Sequence, residues 1–146
     1  MATRSALDTL IELATNDTAE AAKRLGMAIK ATQEAEQKLT MLQEYRTEYS
    51  VRFETSMATG LSAAGYRNFQ LFMNKLDTAI SGQSEVVREA KKRVEERTRA
   101  WQENERKRMS YDTLSTRAKQ AEHKLENKRD QKLMDEHAAR QYNYKN

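Results

Sequence analysis

The sequence contains no cysteine, no proline and only 4 glycines among its 146 residues. The lack of cysteine rules out a disulfide framework, a thiolate metal site and a cysteine nucleophile, and it suits a reducing compartment. The lack of proline and the scarcity of glycine leave little that would interrupt a helix. Because only 38% of the residues are hydrophobic and 7% are aromatic, a large globular core is not expected.

Long apolar runs are also missing. No segment approaches the ~20 consecutive apolar residues that a membrane-spanning helix needs. The first ten residues, MATRSALDTL, lack the apolar run of a secretory signal. These absences predict a soluble, cytoplasmic protein.

Charged residues and strong helix formers fill the composition instead. Charged side chains make up 33% of the chain, and the mean hydropathy is strongly negative. Residues 1–60 carry seven basic and nine acidic side chains, a net charge of −2, and the remainder carries nineteen basic and thirteen acidic ones, a net charge of +6. Opposite signs favour packing of the two halves, although each exposed pair contributes only a few tenths of a kcal/mol.

A seven-residue period runs through the first half. Alternating steps of four and three residues from Leu7 meet only one charged residue, Arg46. A period of seven held this long predicts a left-handed coiled-coil seam, and its many small residues predict close packing. The predicted seam residues are Leu7, Ile11, Ala14, Thr18, Ala21, Leu25, Ala28, Thr32, Ala35, Leu39, Leu42, Arg46, Tyr49, Phe53 and Ser56.

The second half carries a matching but more polar seam. Its residues are Phe69, Met73, Leu76, Ile80, Gln83, Val87, Ala90, Val94, Arg97, Trp101, Asn104, Arg108 and Tyr111. Trp101 and Tyr111 are interpreted as packing residues. Beyond Tyr111 the pattern predicts a slip of the seam to Leu114, Ala118, Ala121 and Leu125.

Local signals divide the chain into two helices and one turn. Ser5 and Asp8 resemble a capping box that starts helix one, and Gly60 and Gly65 bracket a reversal. We predict an all-α fold, a long antiparallel two-helix coiled-coil hairpin forming a single domain over residues 1–146. Helix one covers about 5–57, the tip 58–66 and helix two about 67–140, with the likeliest kink at Ser81–Ser84.

The predicted second helix is longer than the first. With a turn near residue 61, residue 5 lies opposite residue 117, because both helices rise equally per residue. Residues 117–140 would then form a protruding C-terminal helix of roughly 35 Å, at about 1.5 Å per residue. Such an overhang is either clasped by a partner or a mobile tail.

Apolar side chains near the turn exceed what one seam needs. Tyr45 on helix one and Phe72 on helix two begin a second stripe, about 100° around each helix from the seam. Two helices cannot bury both stripes. Either the tip loop, with Leu61 and Tyr66, covers the surplus, or a partner protein does.

Catalytic, metal and cofactor sites find no support in the sequence. His123 and His137 are fourteen residues apart, which separates them by ~21 Å on a helix and excludes a shared metal. No phosphate-binding glycine loop and no nucleophile with an oriented base are present. Glutamates interrupt the basic clusters at 91–93 and 106–108, so a solvated face explains them better than nucleic-acid binding. We predict no enzyme activity, no cofactor and no metal.

Four stretches resemble the FliJ family of the flagellar type III export apparatus: ALDTLIELA, AEQKLTMLQEYRTEY, NFQLFMNKLDTAI and NKRDQKLMDEHAAR. The resemblance implies a hairpin similar to the central stalk of rotary ATPases. Its paired ends enter the ring of the export ATPase (FliI), and both the ATPase and its regulator (FliH) are implied partners. It also implies docking on the cytoplasmic domain of the export gate (FlhA) and escort of export chaperones. The implied location is the cytoplasmic base of the flagellum, held at the inner membrane through protein partners only.

The resemblance also implies site residues. The family's gate-contacting surface corresponds here to Leu42, Tyr45, Tyr49, Phe72, Leu76, Ala79 and Gln83. Lys38 and Gln83 depart from the glutamine and histidine that the family carries on this surface. For the ATPase ring, the overhang supplies Lys124, Lys128, Arg129 and Lys132. A self-associating coiled-coil scaffold without an ATPase partner is the alternative.

Overall fold

The computed structural model describes residues 2–145, with side chains from residue 6 onward. Helix α1 spans Ala2–Thr59 and helix α2 spans Ala63–Lys145, and no strand occurs in this range. The two helices pack against each other as an antiparallel hairpin, which confirms the predicted all-α fold.

Contacts group the chain into two compact units. One consists of Glu20–Gln102, and the other of the described residues in Met1–Ala19 and Glu103–Asn146. Both helices contribute to each unit.

The turn is shorter than the predicted tip of residues 58–66, because only residues 60–62 lie outside a helix. Gly60 has a φ of 95°, the left-handed geometry that ends α1 and that favours glycine. The Ser62 hydroxyl then accepts a hydrogen bond from the backbone N–H of Gly65 at 3.1 Å and caps α2. Gly65 therefore lies in the first turn of α2, where an added Cβ would sit 2.9 Å from Leu61 Cδ1.

The outer ends of both helices extend beyond the predicted bounds of residues 5 and 140. α1 already includes residues 2–4 and α2 continues to Lys145, since no proline or glycine interrupts either end. The predicted cap by Ser5 falls outside the described side chains. α2 is also continuous through Ser81–Ser84.

The predicted seam of α1 is confirmed at every position from Leu7 to Ser56, each of which is buried or half-buried. Small residues form its most buried part. The Thr18 hydroxyl donates to the Ala14 carbonyl at 2.8 Å, and Thr32 does the same to Ala28 at 2.9 Å, so neither leaves a buried polar group unsatisfied. The buried residues of α1 are Ala14, Thr18, Ala21, Ala28 and Ala35.

The seam of α2 differs from the prediction in two places. Arg97 is exposed and Thr98 is half-buried in its place, as expected when a straight helix drifts against a seven-residue repeat. The predicted slip beyond Tyr111 is wrong, because the frame continues to Ser115 and burial then ends. The predicted slipped residues Leu114, Ala118, Ala121 and Leu125 are all exposed.

Polar contacts fix the two helices against each other within Glu20–Gln102. Arg46, the one charged residue of the α1 seam, donates through Nε to Asp77 Oδ1 at 2.5 Å. This hydrogen bond raises the pKa of the Arg46 guanidinium. Lys91 Nζ lies 3.4 Å from Glu36 Oε1. Both ion pairs are partly exposed, so we expect them to set the register more than the stability.

Close packing at the α1 seam predicts a contrast between two Ala→Leu substitutions. Ala28 is buried and Ala22 is exposed on the same helix. Ala28→Leu should lower the free energy of unfolding by about 1–3 kcal/mol, because the extra volume overpacks the seam. Ala22→Leu should change the free energy of unfolding by less than about 0.5 kcal/mol, since alanine and leucine have similar helix propensity. Urea unfolding followed by circular dichroism measures both, and equal effects would contradict close packing at Ala28.

Candidate partner-binding surface

Six aromatic rings pack across the two helices beside the turn, within Glu20–Gln102. The Tyr49 ring lies 4.4 Å from the Phe72 ring and 4.9 Å from the Phe69 ring, centroid to centroid. Phe53 continues the row, 5.1 Å from Phe69 and 5.6 Å from Tyr66. Ring pairs at these separations add about 0.5–1.5 kcal/mol each beyond their buried area. This ring cluster therefore holds the helices together next to the turn.

Tyr45 lies at one edge of the ring cluster. Its ring is 6.0 Å from Phe72, edge to face, and 6.4 Å from Tyr49, yet 42% of the residue remains exposed. Tyr66, at the other edge, contacts Phe53, and Leu61 packs against Gly65. The rings that contact Tyr45 belong to the helices, so the tip loop does not cover this edge.

The remaining residues of the predicted gate surface occupy different environments. Ala79 is exposed, whereas Leu42, Tyr49 and Phe72 are half-buried. Leu76 is only 6% exposed and belongs to the α2 seam. Gln83 is half-buried, and its Nε2 donates to the Ala35 carbonyl oxygen at 3.0 Å. The structure thus brings these residues to one region of the hairpin, but it turns Leu76 and Gln83 toward α1.

A shallow groove lies on the opposite side of the ring cluster, and the sequence did not predict it. Its volume is about 360 Å³. Arg46 and Asp77, which form an ion pair, are both among its lining residues. Asp77 lies beside the seam of α2, fourteen residues before Lys91 and therefore on the same line of the helix. A charged residue at this position is the sequence signal that could have identified Asp77 as an ion-pair partner for α1. The groove is lined by Arg46, Ser50, Phe53, Glu54, Phe69, Gln70, Met73, Asn74 and Asp77.

Every residue from 116 to 145 of α2 is exposed. This stretch carries eight basic and five acidic side chains. The basic residues predicted to meet the ATPase ring, Lys124, Lys128, Arg129 and Lys132, lie within it. In the same unit, Arg108 donates to Glu105 and Asp112, and its hydrogen bond lowers the pKa of Glu105. Arg108 is thus paired along α2 with carboxylates on both sides of it.

The described part of the chain holds neither a metal site nor a membrane span. His123 and His137 are exposed, and no group of metal-ligating side chains forms among residues 2–145. None of the described helical segments is apolar enough over a sufficient length to cross a membrane.

Known proteins are similar to this sequence over nearly all of its length. The profile of the family described as flagellar FliJ protein matches residues 3–146. The flagellar FliJ protein of Salmonella typhi is 34% identical over 140 residues, which cover 96% of this chain and 95% of that protein. That of Escherichia coli (strain K12) is 33% identical over 140 residues, with the same coverage. Profile and relatives confirm the resemblance seen in the four sequence stretches, and the chain therefore belongs to the family of flagellar FliJ proteins.

Proposed function

We propose that this chain is a flagellar protein export component that connects two machines and is not itself an enzyme. The edge of the ring cluster at Tyr45 and Phe72 binds the cytoplasmic domain of the export gate. The basic end of α2 enters the ring of the export ATPase, near its regulator, and promotes the assembly and activity of the ring. The chain also escorts export chaperones, and it works at the cytoplasmic base of the flagellum, attached to the membrane only through these proteins.

The observation that carries the proposal is the exposed aromatic edge in a chain of this family. Tyr45 and Phe72 contact each other, and Tyr45 is 42% exposed. Aromatic residues packed on a rigid support are the usual anchors of protein interfaces, because they bury a large area at a small entropic cost. Ala79 extends the edge along α2.

Leu76 and Gln83 have a supporting role in this proposal. Leu76 lies in the helix interface, and Gln83 links α2 to the α1 backbone. Both act by holding Phe72 and Ala79 in place. Leu42 and Tyr49, which are half-buried, complete the inner side of the surface.

The exposed end of α2 supports the second contact. Residues 116–145 are all exposed, although they are helical. A helix without a packed face gains little stability from its own sequence, so a partner that covers it explains its length. The excess of basic residues in this stretch favours a binding partner with an acidic or polar surface.

A coiled-coil scaffold that self-associates remains the second candidate, because exposed apolar residues also occur away from the ring cluster, as at Leu125 and Leu133. Light scattering separates the two functions. A monomer of 16.9 kDa supports the connector, and a stable oligomer at micromolar concentration supports the scaffold.

Two tyrosines at the opposite edges of the ring cluster give a matched test of gate binding. Tyr45 is 42% exposed and Tyr66 44%. Tyr45→Ala should weaken binding to the cytoplasmic domain of the gate by about tenfold or more, which is about 1.4 kcal/mol, because it removes an interface anchor. Tyr66→Ala should change the affinity by less than about threefold. Calorimetry measures both affinities.

Thermal unfolding of both tyrosine variants is the control for that test. Each substitution removes ring contacts at an edge, so the two variants should lose similar helical stability. Equal loss of gate affinity in the two variants would contradict a binding surface at Tyr45.

The exposed end of α2 predicts a separable loss of ATPase stimulation. Deleting residues 118–146 should abolish stimulation of the cognate export ATPase and leave the unfolding midpoint of the remaining hairpin nearly unchanged. Changing Lys124, Lys128, Arg129 and Lys132 to glutamine should reduce the stimulation strongly. Changing four exposed basic residues in the packed part of α2 to glutamine should leave most of the stimulation. These residues are Lys92, Arg99, Arg106 and Lys107. Full stimulation by the deletion variant would rule out a role for this end.

A further inference from the structure

One side of α2 between residues 113 and 134 carries no acidic side chain. With about 100° of rotation per residue, one group of side chains in this segment falls within about 120° of the helix circumference. Four of these side chains are basic, four are apolar, and all eight are exposed. We name them the basic–apolar face: Leu114, Arg117, Ala118, Ala121, Lys124, Leu125, Lys128 and Lys132.

The acidic side chains of the same segment form a row on another side of α2. Glu122, Glu126 and Asp130 follow one another at steps of four residues, and Lys119 lies among them. None of the three carboxylates is three or four residues from a basic residue of the face, the spacing that brings side chains together on a helix. Glu122 borders the face only at its apolar edge.

Two further charged residues mark the limits of the face. Arg129 lies at its edge, three residues after Glu126, where opposite charges on a helix attract each other. Asp135 follows Lys132 by three residues and ends the face. The central part of the face, from Arg117 to Lys128, is thus a basic row beside an apolar row.

We infer that the ring of the export ATPase contacts α2 through the basic–apolar face and offers it an acidic surface with an apolar patch. This rests on the proposed function, which places the exposed end of α2 in the ring. Carboxylates of the ring reach Arg117, Lys124 and Lys128. Apolar side chains of the ring pack between the two leucines of the face, over the small side chains of its two alanines.

The acidic row explains why the contact is one-sided. A contact made on all sides of α2 would bring this row against the same acidic surface of the ring. Like charges placed together at an interface oppose binding. Contact through the basic–apolar face alone keeps Glu122, Glu126 and Asp130 in water, and it fixes the rotation of α2 about its own axis.

An anionic membrane surface is the other kind of ligand that a basic and apolar face could bind. A helix that lies in a bilayer interface usually buries large side chains such as tryptophan, phenylalanine and leucine. The basic–apolar face has only two leucines and two alanines for this purpose, and Glu122 borders them. The observations therefore favour a protein surface.

Two double substitutions with the same loss of charge test the inference. Arg117→Gln with Lys124→Gln changes the face, and Lys119→Gln with Arg140→Gln changes one arginine and one lysine outside it. All four positions are exposed. The face variant should raise the concentration of chain that gives half-maximal stimulation of the cognate export ATPase by more than about tenfold at about 0.1 M NaCl. The control variant should raise it by less than about threefold.

Two leucines of similar exposure test the apolar part of the contact. Leu125, on the face, is 56% exposed, and Leu133, outside it, is 63% exposed. Leu125→Ala should raise the half-maximal concentration by about fivefold or more, and Leu133→Ala by less than about twofold. Circular dichroism should show the same helix content in both variants, because both substitutions introduce a strong helix former.

The outcomes separate the inference from the proposed function. If deletion of residues 118–146 abolishes the stimulation but the two double variants lose it equally, the contact depends on net charge, the inference fails and the connector function stands. If the wild-type chain does not stimulate the ATPase, the proposed function fails, and the inference with it. Binding of the wild-type chain to phosphatidylserine vesicles that is lost in the face variant, together with full ATPase stimulation by that variant, would assign the face to a membrane instead.

Discussion

α1 packs against α2 along one narrow seam, and this contact determines which side chains are buried and which are exposed. No side chain in the described part of the chain is more than 98% buried, so no compact core stabilises the fold. The buried residues are mainly alanines on α1, and each removes little apolar area from water. Beside the turn, the ring cluster of Tyr49, Phe69, Phe53 and their neighbours supplies the larger contacts.

The seam, which has small residues along α1 and large rings beside the turn, determines which side chains remain available to a partner. A hairpin of two helices has no interior beyond the seam, so apolar residues one position to the side stay exposed. Tyr45 is such a residue, and its contact with Phe72 holds it on a rigid support. The same geometry keeps the candidate partner-binding residues at the outside of the hairpin, where a partner protein can reach them.

The sequence predicts the seam well because burial on a helix depends on spacing alone. Every predicted position of α1 from Leu7 to Ser56 is buried or half-buried, and so is every predicted position of α2 from Phe69 to Tyr111 except Arg97. Features that depend on three-dimensional neighbours were not predicted. Gly65 looked like a turn residue, but it lies in α2, where Leu61 leaves no room for a side chain. The slip predicted after Tyr111 rested on the apolar pattern of α2 alone. The residues of that pattern are exposed, because α1 does not cover them.

The candidate surface was predictable to a similar extent. The surplus of apolar residues near the turn predicts exposed side chains there, and Tyr45 and Ala79 are exposed. Periodicity could not separate the residues that face outward from those that face α1. Leu76 satisfies both the seam and the second stripe, and only the structure places it in the interface. The Gln83 side chain could reach solvent or the Ala35 carbonyl, and a single hydrogen bond decides between them.

Hydroxyl-radical footprinting of the chain, free and bound to the cytoplasmic domain of the export gate, shows whether the partner covers the edge of the ring cluster at Tyr45. Tyr45 and Tyr66 have nearly equal exposure and the same intrinsic reactivity, so each serves as the other's reference. We expect the oxidation of Tyr45 to fall on binding while that of Tyr66 is unchanged. Protection of Tyr66 with Tyr45 still fully reactive would contradict it.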